Sequence, residues 1–174
     1  IGAPVDNQTA EAVYFNHSPD VWLKEYDESS NDWGPTLTEL TTPMPFGKGF
    51  AIWIKSGENA TASFQNEIAA VDVSVSGLTY SGASNGFNLV SNPFTASLDW
   101  DQGGWTRTNL DGNVWVYDPA AGQYKDRNSY GIGSLTEGII PVGQGFFVRT
   151  TAGGAGLTIP VNARLHSEQA YYKN

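Results

Sequence analysis

The stretch Val71-Asp72-Val73-Ser74-Val75-Ser76 alternates strictly between valine and a polar residue. Successive side chains of a β-strand point to opposite faces, so this period of two predicts a strand that is buried on one face. Apolar runs at residues 50–54 and 146–149, and a β-branched and aromatic run at 114–117, predict three further strands. The chain is therefore expected to be all-β.

Turn-forming clusters separate these predicted strands. They fall at residues 29–32, 111–113, 119–122 and 153–154, and all are rich in glycine, asparagine, aspartate, serine or proline. No segment shows a convincing helical period, and residues 163–172 are the nearest candidate for a short terminal helix.

Two segments of the chain resemble each other, at approximately 21–66 and 114–162. Tyr26-Asp27 aligns with Tyr117-Asp118, and Trp33 then falls on Tyr124. Further on, Gly47-Lys48-Gly49-Phe50 aligns with Gly143-Gln144-Gly145-Phe146 after a five-residue insertion in the second copy. Two copies are too few for a solenoid. We therefore predict a single jelly-roll-like β-sandwich module over residues 1–174, built from two related halves.

Composition excludes several classes of function. The 174 residues include no cysteine, which removes thiol catalysis and cysteine-ligated metals. The net charge of −9 argues against nucleic acid and anionic lipid as partners. No apolar run approaches the length of a membrane span, and the first residues do not form a signal peptide. We expect the chain to be a mature or excised piece of a longer protein.

Catalytic patterns are missing from the sequence. There is no nucleophile elbow and no zinc-protease spacing, and the two histidines, His17 and His166, lie in polar surroundings typical of the surface. Asp27 recurs as Asp118 in the second half, which favours a turn-shaping role over acid-base chemistry. The two Gly-x-Gly motifs precede strands, not helices, so close backbone approach is expected there and not phosphate binding. We predict a protein that is not an enzyme and carries no cofactor.

The aromatic residues are the most suggestive feature. Trp22 and Trp115 are interpreted as equivalent positions of the repeat, and together with Trp53 they are expected in the core. Trp105 follows Gly103-Gly104 in a polar loop, where an indole face could stack against a sugar ring. The candidate carbohydrate site comprises Trp105, Trp100, Tyr124, Asp99, Asp101, Gln102 and Arg107. The alternative is that Trp105 folds back as a lid over the end of the core.

Asp99 and Asp101 also offer a candidate for calcium. They lie two residues apart, so both would face one side of a strand and could hold a hard cation through oxygen ligands. The chain has no EF-hand pattern, and the alternative is a solvated loop.

Residues 86–94 read Gly-Phe-Asn-Leu-Val-Ser-Asn-Pro-Phe, and Leu98-Asp99-Trp100 follow. This segment resembles the "GWNLVGNPYPSAIDW" segment of large secreted Bacteroidetes proteins that use type IX secretion. Downstream, residues 114–118, 122–124, 140–148 and 163–167 also fit, so the resemblance covers roughly residues 45–174. It implies a secreted or cell-surface location and supplies no catalytic residues. Phe87 and Ser91 depart from the usual tryptophan and glycine.

The sequence thus predicts a non-catalytic extracellular module of a bacterial surface protein that binds a polysaccharide or cell-surface glycan and adjoins other domains of a longer parent protein. The alternatives are a structural adhesin or spacer domain without a ligand and an accessory β-domain of a larger secreted hydrolase. A row of exposed tryptophans and tyrosines would favour binding, and their complete burial would favour the spacer.

Overall fold

A computed structural model describes residues 1–14, 20–58 and 61–168. Over these residues the protein is an all-β sandwich with four antiparallel sheets, which confirms the predicted fold class. The strands, in chain order, are β1 (Val21–Asp27), β2 (Asp32–Thr36), β3 (Ala51–Ile54), β4 (Val73–Val75), β5 (Phe87–Ser91), β6 (Ser97–Asp99), β7 (Thr106–Thr108), β8 (Leu110–Asp118), β9 (Gln123–Arg127), β10 (Ile139–Ile140), β11 (Gly145–Thr150), β12 (Gly156–Ile159) and β13 (Arg164–Leu165).

The described helical segments are short. One α-helix, α1 (Glu11–Tyr14), precedes β1, and two 3₁₀ turns occupy Thr136–Gly138 and Val161–Ala163. Within the described residues, no helix has the length and apolar character needed to cross a membrane.

All four predicted strands are present, but one turn and the terminal helix are wrong. Residues 111–113 lie inside β8, where its register with β11 shifts and Gly112 has a φ of +82°, so this cluster forms a bulge. In the described part of residues 163–172 no α-helix forms. Instead, the backbone of β13 pairs with β6 and adds a strand to that sheet.

The larger core lies between one four-stranded sheet and two three-stranded sheets. The four-stranded sheet has the order β5-β11-β8-β9, and the sheets β4-β12-β7 and β10-β6-β13 cover its inner face. Alternate residues of the central strands point inward, as the period of two requires: Val114, Val116, Phe146 and Val148 are all fully buried.

A second apolar cluster supports the small sheet β2-β1-β3. Val21 and Leu23 of β1 pack there with Phe50 and with Val13 and Tyr14 of α1. The Tyr14 hydroxyl donates to the Leu37 carbonyl at 2.9 Å and accepts from the Leu23 amide at 2.6 Å. The helix thereby covers one face of β1.

The small sheet and the four-stranded sheet meet along β5. The segment that leads into β3 pairs with the free edge of that strand: the Gly49 amide donates to the Leu89 carbonyl at 3.2 Å, and the Ser91 amide donates to the Gly47 carbonyl at 2.9 Å. The two sheets therefore border each other, and their outer faces form one surface.

The matched segments have the same strand order, β2-β1-β3 in the first half and β9-β8-β11 in the second. The sequence alignment also matches two cross-strand pairs of the first half with two of the second. The pair Leu23–Ile52 corresponds to Val114–Val148. The pair Lys24–Ala51 corresponds to Trp115–Phe147. This register aligns Trp115 with Lys24, so the interpretation of Trp22 and Trp115 as equivalent positions is wrong. Superposition of the halves and the single-module assignment stay predictions.

The Gly-x-Gly motifs have the expected backbone role. The first glycine of each, Gly47 or Gly143, has a positive φ, of +76° and +64°. At the second glycine the backbone comes close to another element, because a Cβ on Gly49 would lie 2.5 Å from the Val90 carbonyl oxygen. A Cβ on Gly145 would lie 3.1 Å from the backbone nitrogen of Ile1.

Candidate functional site

The predicted site around Trp105 forms a packed corner of the larger core. Trp100 is only 1% exposed, and its ring centroid lies 4.7 Å from that of Trp105. Trp105 is partly buried against the same core, and its Nε1 donates to the Asp99 carbonyl at 3.0 Å. Trp105 therefore folds back over the end of the core, as the lid alternative describes.

Arg107 closes this corner from the other side. Its guanidinium carbon lies 4.0 Å from the ring centroid of Trp100, and its Nη2 donates to the Trp100 carbonyl at 2.9 Å. Burial lowers the pKa of Arg107, and the nearby charge of Asp101 acts in the opposite direction. Trp100 has no free ring face on which a sugar could stack.

The carboxylates of the predicted site are already bonded. Both oxygens of Asp101 accept from Nε of Arg127 at 3.1 Å, and Arg127 Nη2 adds an ion pair with the same group. This hydrogen bonding with Asp101 raises the pKa of Arg127. Oδ1 of Asp99 accepts from the Asp101 amide at 2.8 Å, and Gln102 is exposed. Within the described residues no three histidine, aspartate or glutamate side chains are grouped to hold a metal, and calcium stays a prediction.

Tyr124 does not belong to this corner. It pairs with Tyr117 across β8 and β9, and Tyr117 points away from the core side taken by Val116. Because Val116 and Trp100 belong to the same buried cluster, Tyr124 lies on the opposite side of the four-stranded sheet from Trp100. The structure thus brings six of the seven predicted residues into one region and places the seventh elsewhere.

The outer side of the two bordering sheets carries an unusual concentration of aromatic rings, which we call the aromatic face. Seven of its nine members alternate along their strand with a buried residue or pair with such a member across the strands, and Tyr26 and Trp33 join them through ring contacts with Phe147. The aromatic face comprises Trp22, Tyr26, Trp33, Trp53, Phe87, Trp115, Tyr117, Tyr124 and Phe147.

Edge-to-face contacts join these rings into a continuous series across both sheets. The centroid distances are 5.6 Å from Trp53 to Trp33, 6.1 Å from Trp33 to Phe147, 5.7 Å from Phe147 to Tyr124 and 5.2 Å from Tyr124 to Tyr117. Phe147, at the centre, is 7% exposed. The series is therefore anchored in its middle and open at its two ends.

The exposed tryptophans at one end correct an expectation from the sequence. Trp22 is 36% exposed and Trp53 is 44% exposed, so the prediction that both lie in the core is wrong. The reason is the alternation of β1, since Val21 and Leu23 take the core side and turn Trp22 outward. Trp115 is partly buried, but against Phe87 on the aromatic face and not in the core.

A depression of about 400 Å³ lies at this end of the face. Trp22 and Trp53, which pair directly across β1 and β3, form its aromatic walls. Lys24 and Thr36 supply polar groups, and Ile54 completes the lining. Flat rings beside a few directional polar groups are the chemistry that recognises a sugar, whose C–H face stacks while its hydroxyls form hydrogen bonds.

The opposite end of the face is formed by Tyr117 and Tyr124, which are 44% and 46% exposed. Burial, and after it the neighbouring Tyr117, raises the pKa of Tyr124. Burial likewise raises the pKa of Tyr26, whose hydroxyl donates to Oδ1 of Asn31 at 2.8 Å. Both phenols are neutral at pH 7, as ordinary tyrosines are, and can donate hydrogen bonds.

The residues considered for catalysis have local roles or fall outside the described part. Oδ1 of Asp27 accepts from the Ser29 amide at 2.9 Å, and Oδ1 of Asp118 accepts from the Ala120 amide at 3.0 Å, so both shape the turn that follows their strand, as predicted. His17 lies outside the described residues, and His166 is exposed in the C-terminal segment.

Comparison of the chain with protein-family models, with curated proteins and with solved structures finds no match. The resemblance to secreted Bacteroidetes proteins therefore stays a prediction. What the protein binds has to be argued from its own surface.

The sequence carried one signal for the aromatic face. Trp22, Lys24 and Tyr26 occupy alternate positions of β1, so their side chains share one face of the strand. A lysine between two aromatic residues on the same face indicates that this face is exposed. The apolar Val21 and Leu23 on the other period indicate the buried side. The contacts of Phe147 with rings of the small sheet had no such signal, because they join residues far apart in the chain.

Proposed function

We propose that this protein is a non-catalytic, extracellular carbohydrate-binding module of a bacterial surface or secreted protein, and that its binding site is the aromatic face. The observation that carries the proposal is the exposure of Trp22, Trp53, Tyr117 and Tyr124 on one side of two bordering sheets. Large exposed aromatic patches on a soluble protein are uncommon and mark surfaces that bind a ligand or partner.

The layout of the face fits a chain-like ligand better than a single small molecule. Its exposed ends are separated by Trp33 and Phe147, and the depression at one end is shallow and lies on the outer surface. A polysaccharide could contact the two ends at once, and each contact would contribute modestly. Several weak contacts on one chain give useful retention through multivalency.

The Trp105 corner is the weaker candidate for this function. Trp100 is buried, Arg107 covers its ring, and Asp101 is held by Arg127. A sugar could reach only the exposed part of Trp105, and the indole N–H there already has the Asp99 carbonyl as its acceptor.

Retention on insoluble polysaccharides tests the proposal. A panel of cellulose, chitin and xylan is incubated with the full chain and with Trp53→Ala. Burying one indole face against a sugar contributes about 1–2 kcal/mol at ~25 cal/mol/Å², so Trp53→Ala is expected to weaken retention about tenfold. Its melting temperature should stay close to that of the unmutated chain, because the side chain is 44% exposed.

Two control variants sharpen the result. Tyr130 is 86% exposed in the loop after β9, so Tyr130→Ala removes an exposed aromatic ring outside the face and should leave retention unchanged. Trp105→Ala should lower the melting temperature without abolishing retention, because it opens the packed corner. Equal retention of Trp53→Ala and the unmutated chain, or retention of the latter by no polysaccharide, would refute the proposal and favour a spacer domain.

A further inference from the structure

We infer that the depression between Trp22 and Trp53 selects a glycan that carries isolated carboxylates, with Lys24 as the specificity-determining residue. This inference rests on the proposed function and names the class of glycan. A uronic acid within a largely neutral polysaccharide has the required chemistry. Its ring can stack on indole while its carboxylate meets an ammonium group.

Lys24 is placed to act on a ligand in this depression. It lies on the aromatic side of β1, opposite Ala51 of β3 and Thr36 of β2. Its Nζ lies 5.6 Å from the ring centroid of Trp53, so the ammonium group stands beside the stacking surface. A lysine ammonium has three donors and no acceptor, and a carboxylate is its natural partner.

Lys24 also differs from the other three lysines that the structure describes in lacking an acidic partner. Lys48, Lys55, Lys125 and Arg127 each form an ion pair with a carboxylate. Arg107 is partly buried against Trp100, and Arg149 and Arg164 donate to backbone carbonyls. Among the described residues no carboxylate lies within ion-pair distance of Lys24. In a protein of net charge −9, this leaves a positive charge in the depression that a ligand can neutralise.

The overall charge limits how acidic the glycan can be. A polymer with a sulfate or carboxylate on every residue would be repelled by the net charge of −9. One lysine between two tryptophans matches one carboxylate flanked by neutral rings. Sparsely substituted polymers therefore fit the depression better than densely charged ones.

The experiment compares glucuronoxylan with the same polymer after chemical reduction of its carboxylates to alcohols, by affinity electrophoresis and calorimetry. The unmutated chain is expected to bind glucuronoxylan about fivefold more tightly than the reduced polymer, because a partly exposed ion pair with Lys24 raises the affinity by about that factor. Lys24→Gln should bring this ratio to about one. Sodium chloride should also lower the ratio, because salt screens exposed charges.

Lys125→Gln is the matched control. It removes the same charge from β9, on the side of the sheet opposite Tyr124, and should keep the ratio of the unmutated chain. An equal affinity for both polymers, or a ratio that persists in Lys24→Gln, would overturn the inference and leave the proposed function standing. Tighter binding of dextran sulfate than of glucuronoxylan would also overturn it. Binding of no polysaccharide by the unmutated chain would overturn both.

Discussion

At the scale of single residues, Glu28 ties the small sheet to the rest of the molecule. It follows β1, it is 5% exposed, and its Oε1 accepts three hydrogen bonds: from the Ser81 amide and hydroxyl at 2.9 Å each and from the Gly86 amide at 2.7 Å. Burial alone would raise the pKa of Glu28, but these hydrogen bonds outweigh burial and lower it. The charged form is therefore the one that stabilises the fold.

Glu28→Gln is expected to lower the free energy of unfolding by about 1–2 kcal/mol at pH 7, because neutral hydrogen bonds replace charge-assisted ones. A folded-state pKa below the unfolded value of about 4.3 means that this stabilisation is complete above that pH and is lost as the pH falls through the folded-state pKa. Urea unfolding from pH 7 to pH 3 should thus show a smaller acid-induced loss in Glu28→Gln. Glu39→Gln, at an exposed position, is the control, and equal behaviour of both variants would contradict the prediction.

Gly49 shows a second residue-scale constraint, the close approach of two backbones. An alanine Cβ there would meet the Val90 carbonyl oxygen at 2.5 Å, and no side-chain motion relieves a clash with backbone. Gly49→Ala is expected to destabilise by about 1–3 kcal/mol in urea unfolding. Gly153→Ala is the matched control, because nothing lies within 4 Å of its added Cβ, and its effect should stay within about 0.5 kcal/mol. An unchanged free energy of unfolding in Gly49→Ala would show that the segment before β3 can move away from β5 without cost.

At the scale of elements, Phe147 joins the two halves of the aromatic face. Its ring lies 4.8 Å from that of Tyr26 and 6.1 Å from that of Trp33, both on the small sheet. It also contacts Phe87 and Tyr124 of the four-stranded sheet, at 6.3 Å and 5.7 Å. The joint therefore combines two rings of the β1–β2 hairpin with rings from β5, β9 and β11.

Phe147→Ala is expected to cost about 3–5 kcal/mol, because it removes a buried ring between two sheets. The near-ultraviolet circular dichroism of the aromatic residues should weaken in the folded state at the same time. Tyr117→Ala is the comparison, since its ring is 44% exposed at the end of the same series and its loss should cost less than about 1 kcal/mol. Similar losses for the two variants would show that the joint does not depend on the central ring.

At the scale of the whole molecule, two apolar clusters share one chain. The larger lies inside the sandwich and the smaller beneath the small sheet. Pairing of the segment before β3 with β5 and the contacts of Phe147 connect the parts. We therefore expect them to unfold together, as the single-module prediction requires.

Leu23→Ala tests this cooperativity, because Leu23 is fully buried in the smaller cluster. The substitution should cost about 2–5 kcal/mol, and calorimetry should show one transition that moves as a whole to lower temperature. Two transitions, of which only one moves, would show two independently folding units and refute the single-module assignment.

The sequence by itself determined the strands β3, β4, β8 and β11, most of the turns and the repeated hairpin, because these depend on local alternation and on glycine and aspartate at turns. The valines of β4, the turn carboxylates Asp27 and Asp118, and the glycines before β3 and β11 were all predictable in this way. Only the tertiary structure decided which aromatic residues face solvent. Trp22 and Trp53 lie outside and Trp100 lies inside because core and surface are assigned by packing between sheets whose strands are far apart in the chain. The candidate site followed that packing: the rings on the outer side stayed open to a ligand, while the Trp105 loop, polar in sequence, closed over the core.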